Sequence, residues 1–146
     1  MDIVTKNLPN FGEGNSFTTW DYDDTNRTVT VSEGNLYPTV WTMNAWGEVV
    51  AKKDGEGNVF SWEYDGAGKL KTATDAYQKT TGYTWNELGK IKTITYPDST
   101  FESYQYNHLG QVIQITDAIG LKWTGEYDNA GRLARERGRP GVNKNL

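Results

Sequence analysis

The sequence predicts an all-β fold: an antiparallel meander of about six two-stranded repeats, solenoid-like, forming a curved or spiralling sheet. Three observations predict it. Gly47, Gly68, Gly89, Gly110 and Gly131 stand 21 residues apart, and one more step back falls on Asn26. Three residues before each of these positions stands an acid or its amide: Asp23, Asn44, Asp65, Asn86, Asn107 and Asp128. Seven residues after the glycine a second turn signal recurs, as Asp54-Gly55-Glu56-Gly57, Asp75-Ala76-Tyr77-Gln78 and Asp117-Ala118-Ile119-Gly120. The other copies carry Gly34-Asn35 and Pro97-Asp98-Ser99 there, which form turns for other reasons.

An Asp or Asn that opens a turn, with Gly three residues on, is the pattern of a type I turn. The side-chain oxygen accepts hydrogen bonds from nearby backbone amides, and the glycine takes the positive φ that closes the loop. Asn26 is the non-glycine best suited to that conformation. Such a turn joins two strands with a bulge at the glycine. The structural turn positions are therefore Asp65, Gly68, Asn86, Gly89, Asn107, Gly110, Asp128 and Gly131. The register follows. Asp65 faces Lys69, Tyr64 faces Leu70, Trp62 faces Thr72, and Glu63 meets Lys71 on the polar side. The same frame sets Tyr22 against Thr28, Met43 against Val49, Trp85 against Ile91, Tyr106 against Val112 and Tyr127 against Leu133. Aromatic residues opposite aliphatic or β-branched ones contribute roughly 0.2–1 kcal/mol per pair. A one-residue slip would set aromatics against lysines, so the register is well specified.

Taken in order, residues 1–15 contain Pro9, Gly12, Gly14 and Asn15, match no repeat, and read as a leader or partial cap. The repeat domain occupies 16–137. Its first copy, 16–36, is degenerate but includes the strand Thr28-Val29-Thr30-Val31. The acidic group Asp21, Asp23 and Asp24 lacks the glycine-centred loop ending in Glu of a calcium site, so no metal is expected. The second copy, 37–58, carries Trp41 and Trp46; copies 59–79 and 80–100 are the most regular. In the fifth, 101–120, the return strand Val112-Ile113-Gln114-Ile115 is apolar on both faces, which predicts a covering layer or a neighbouring molecule. The sixth, 121–137, has Gly125 at the usual aromatic position and Trp123 two residues earlier. Residues 138–146 form a basic tail, and Arg132, Arg135, Arg137, Arg139 and Lys144 face Glu136 alone. That cluster reads as a solvated tail or the start of another repeat; a docking segment for an acidic partner is the sharper alternative. No end cap is evident, and open edge strands favour self-association or continuation into neighbouring repeats.

The 146 residues fit one domain. A net charge of −4 argues against nucleic-acid binding. The chain has no cysteine, hence no disulfide framework and no thiolate metal site. No apolar run approaches the length of about 18 residues that a membrane helix needs. Met1 to Lys6 lacks the basic and apolar regions of a signal peptide, so either the protein stays inside or its export is directed by something outside this chain. The one histidine, His108, falls at a turn tip. With no cysteine beside it, nucleophile–base pairs of the usual kind are nearly excluded. Glu63, Asp65, Glu102 and Glu126 could pair as glycosidase carboxylates, but the turn acids recur with the period, as a structural role requires. Neither catalysis nor a cofactor is expected.

Binding is the stronger functional candidate. Trp20, Trp41, Trp62, Tyr83 and Tyr104 share one repeat position and should form a row spaced by two strands, roughly 10 Å. Such a row either stacks sugar rings or protein side chains or is simply the buried side of the sheet.

Tyr64-Asp65-Gly66-Ala67-Gly68-Lys69-Leu70 and Tyr127-Asp128-Asn129-Ala130-Gly131-Arg132-Leu133 resemble the YD repeat, also called the RHS repeat. Trp85-Asn86-Glu87-Leu88-Gly89-Lys90-Ile91 and Tyr106-Asn107-His108-Leu109-Gly110-Gln111-Val112 fit the same frame. The resemblance implies a long β-strip that spirals into a hollow shell. In bacterial polymorphic toxins and insecticidal toxin complexes that shell encloses a toxin domain; related repeats serve cell-surface adhesion proteins. It also implies a secreted or cell-surface location, as part of a larger exported protein. A full shell needs many more repeats than these. Arg139-Pro140-Gly141 lacks the preceding Asp of the family's self-cleavage motif.

Overall fold

The computed structural model describes residues 18–34 and 36–138; the leader 1–15 and residues 139–146 of the basic tail lie outside them. Twelve strands follow one another in sequence order as an antiparallel meander, with no helix among the described residues. The chain divides between Lys79 and Thr80 into two units. The first holds β1 (Thr18–Asp23), β2 (Thr28–Glu33), β3 (Thr39–Met43), β4 (Val49–Lys53), β5 (Val59–Tyr64) and β6 (Leu70–Thr74). The second holds β7 (Thr80–Trp85), β8 (Ile91–Thr95), β9 (Phe101–Tyr106), β10 (Val112–Thr116), β11 (Lys122–Tyr127) and β12 (Leu133–Arg137).

The turn chemistry repeats closely. Asp65 N–H donates to Lys69 O at 2.8 Å and Gly68 N–H to Asp65 O at 3.0 Å. Asp65 Oδ1 accepts from the N–H groups of Ala67 and Lys69, both at 2.9 Å. Gly68 closes the loop at φ 75°. Asn44, Asn107 and Asp128 place their Oδ1 in the same way.

The turns at the other edge are built identically. Asp54, Asp75 and Asp117 each cap two amides, and Gly57, Gln78 and Gly120 take the positive φ. Ser99 does so in the turn opened by Tyr96. A second ladder, Gly57, Gln78, Ser99 and Gly120, thus runs at the same period as the first.

The tight turns set the register. Met43↔Val49, Tyr64↔Leu70, Trp85↔Ile91, Tyr106↔Val112 and Tyr127↔Leu133 are all cross-strand partners. Three expectations are corrected. Trp62 pairs with Ala73 rather than Thr72, and Glu63 with Thr72, because the register shifts at Lys71. This second bulge, one residue past Leu70, moves Ala73 to the side of Trp62. Lys71 still reaches Glu63 at 3.8 Å, an exposed contact. Tyr22 pairs with Val29 rather than Thr28: the β1–β2 loop has one more residue, and Arg27, not Asn26, takes the positive φ of 53°. Finally, Ile113 is the extra residue of a bulge between Val112 and Gln114, which puts Ile115 beside Tyr104 and Trp123. The apolar run is one face plus a bulge, and no longer argues for a covering layer.

Consecutive hairpins are joined partly by phenols. The β4–β5 ladder ends at Ala51↔Ser61, and beyond it Tyr64 Oη–H donates to Val49 O at 2.9 Å. Tyr106 does the same to Ile91 O at 2.8 Å past Thr93↔Ser103, and Tyr127 to Val112 O at 2.9 Å past Gln114↔Thr124. Where Met43 stands in place of the tyrosine, the backbone supplies the bond. There β2–β3 pairing extends to Thr28↔Thr42, and Met43 N–H donates to Arg27 O at 2.9 Å. Removing one phenol leaves a carbonyl short of its donor, so Tyr106→Phe should cost roughly 1 kcal/mol. Thermal unfolding checks this, and a midpoint unchanged from the parent chain would mean the bond contributes nothing.

Candidate functional site: the aromatic face

Strand alternation and the bulges sort the side chains onto two faces. In the first unit Trp20 partners Val31, Val29 partners Trp41, Trp41 partners Lys52, and Lys52 partners Phe60. In the second, Tyr83 partners Ile94, Ile94 partners Glu102, Tyr104 partners Ile115, and Ile115 partners Trp123. The opposite face carries pairs such as Thr84–Thr93, whose hydroxyls lie 2.5 Å apart, and Glu126 with Arg135 at 3.8 Å. In each unit one face is aromatic and aliphatic and the other polar.

The row residues Trp20, Trp41, Trp62, Tyr83 and Tyr104 are all half-buried. Trp41 and Trp62 stack at 6.5 Å between ring centroids and 16° between planes. That is well inside the 10 Å of the expected spacing, because the two indoles lean together across the intervening strand. Lys52, on that strand, holds its ammonium 5.3 Å from the Trp41 ring centre and 5.4 Å from that of Phe60, in cation–π range of both.

At the other end Trp123 is the only buried hydrophobic among the described residues, 9% exposed. A Cβ on Gly125 would stand 2.5 Å from Trp123 Cη2 and 3.0 Å from Leu133 Cδ1. The indole therefore lies over the glycine, filling the place of the missing row aromatic from two residues away. Its Nε1–H donates to Glu136 at 3.1 Å.

Lys52 and Glu102 are the residues that sequence reasoning did not assign to this face. Tyr104 Oη–H donates to Glu102 Oε2 at 2.8 Å. Burial, and then this bond to a carboxylate, push the Tyr104 phenol far above its ordinary range. The Tyr96 phenol is raised for the same reasons in the same order, and Tyr106 by burial. The turn acids go the other way. The N–H of Arg132 and then its guanidinium hold Asp128 below the usual carboxylate range, and the Asn58 amide does so for Asp54. Asp23, once weighed as a metal ligand, accepts from Thr25 N–H, Asn26 N–H and the Asn26 amide. His108 is exposed at its turn tip.

A meander of capped hairpins with an aromatic side and a polar side defines a class: an antiparallel β-repeat strip. Residues 5–116 match the Teneurin YD-shell family, and the chain belongs to it. Residues 106–140 match the RHS repeat. No curated protein matches the chain. Among solved structures it is similar to the TcdB2-TccC3-Cdc42 crystal structure, with a TM-score of 0.60 and 20% identity over 84% of this chain and 7% of that one. The TcdB2-TccC3-TEV crystal structure gives 0.60 and 20% over 93% and 8%. The Photorhabdus luminescens Tc holotoxin pore with a TccC3 mutation gives 0.60 and 20% over 84% and 7%. At that identity the likeness speaks for the fold. The chain spans 7–8% of the length of these solved chains.

Proposed function

We propose that the chain is one stretch of wall in a larger β-repeat shell, with the aromatic face turned to the interior and no catalysis of its own. The carrying observation is the aromatic face itself: its row residues are only half-buried, and Trp123 is the only buried hydrophobic among the described residues. A strip with so little core of its own gains most from being part of a wall. Neighbouring repeats of the same polypeptide are the natural partners of its edge strands β1 and β12. Family resemblance supports a place in an exported protein.

The test uses the full chain. Trp62→Ala removes the stack on Trp41 and should cost about 2 kcal/mol, a fall of several degrees in thermal midpoint. The stacked indoles also favour a second reading, a platform for glycans or a cell-surface protein. An unchanged midpoint together with lost glycan-array binding would sink the wall reading and favour the platform.

A further inference from the structure

We propose that Glu102, set among Tyr83, Tyr96 and Tyr104, is a docking point for a cationic side chain of a basic polypeptide lying on the aromatic face. The site is assembled from three strands. Tyr83 on β7 partners Ile94 on β8, which partners Glu102 on β9. Tyr104 lies two residues along β9 on the same side and donates to the carboxylate. Tyr96 follows β8 two residues past Ile94, and burial and the nearby Glu102 carboxylate raise its phenol. Ile94 forms the floor between them.

The charge is what needs an explanation. The corresponding position in other repeats is Phe60, Thr81 or Trp123. The Tyr104 phenol can hold the carboxylate but cannot neutralise it, and no described Lys, Arg or His lies within ion-pairing distance of Glu102. Asp128, by contrast, pairs with Arg132 at 2.9 Å, Glu63 with Lys71 at 3.8 Å and Glu126 with Arg135 at 3.8 Å. A half-buried carboxylate beside tyrosine rings offers an organic cation both a counter-charge and π-faces. An anionic partner would be repelled, and a neutral sugar would leave the charge unmatched.

The occupant, a chain segment lying on this face, rests on the wall reading; the cation preference does not. The full chain is titrated with hexa-arginine, followed by tyrosine ring resonances and by affinity. Saturable binding that shifts Tyr83, Tyr96 and Tyr104 is expected, weakened about tenfold by Glu102→Gln. Gln keeps an oxygen for the phenols, and circular dichroism checks the fold. Tyr104→Phe, which keeps the ring, is a second variant and should weaken binding less. Glu63→Gln, on the polar side of the first unit, should leave affinity unchanged. Absence of saturable binding, no loss in Glu102→Gln, or equal loss in Glu63→Gln would each overturn the proposal. None of these outcomes depends on the Trp62→Ala melting result, so the two readings fail separately.

Discussion

Trp123→Ala should be among the most damaging single truncations in the chain, costing roughly 3 kcal/mol and lowering the thermal midpoint by roughly 10 °C. Several effects add. The indole is the one buried hydrophobic among the described residues. It covers Gly125, which has no side chain to replace it and which Leu133 also approaches. Its Nε1–H is the partner of Glu136. Trp123→Phe keeps a ring over Gly125 and loses the donor, so it should cost roughly 1 kcal/mol. Trp46 is 85% exposed at a turn tip and supplies the control. Should Trp46→Ala destabilise as much as Trp123→Ala, the burial argument fails.

Gly89→Val should cost roughly 2 kcal/mol and Gly89→Asn less than about 1 kcal/mol. Gly89 sits at φ 74°, where a β-branched residue clashes with its own backbone and an asparagine is tolerated. The turn's backbone bond, Gly89 N–H to Asn86 O at 2.9 Å, involves no side chain at 89, so the difference isolates the backbone conformation. Gly66 is the internal comparison. It lies outside the positive-φ set, and a Cβ there meets nothing within 4 Å, so Gly66→Ala should be neutral or slightly stabilising. Chemical denaturation of these three variants checks the ranking. Equal costs for Val and Asn at position 89 would contradict a left-handed turn.

How far the sequence carries depends on whether a constraint leaves a residue type behind. The ladder glycines do, because positive φ selects glycine, and the cross-strand pairs nearest each turn followed from them. The second ladder was legible only in part. The turns at Asp75 and Pro97 were readable, but Gln78 and Ser99 occupy left-handed positions without being glycine, at φ 62° and 69°, so the ladder itself was not. The bulge at Lys71 is announced by no residue type: the corresponding positions hold Val50, Lys92 and Ile113. Each bulge reverses the parity of the rest of its strand, which is why Trp62 was set against Thr72. Arg27 fooled the reading for a similar reason, since the longer loop shifted the left-handed residue by one. The aromatic row was readable because it recurs. Lys52 and Glu102 were not, since the equivalent positions in other copies are apolar or Thr, such as Ala73, Ile94 and Phe60. A singular charge on a periodic face can be recognised only once the register is known.

The three phenol bonds, past the β4–β5, β8–β9 and β10–β11 ladders, span 15 residues each, and the side-chain bond from Gln111 to Gly131 O spans 20. Every partner of a strand is therefore delivered within about one repeat of it. A chain wired this way has little loop-closure entropy to overcome and can grow strand by strand as it is synthesised. It can also be drawn out in reverse, one hairpin at a time, when pulled from an end. Resistance to force then resides in each successive phenol and turn rather than in a single cooperative barrier.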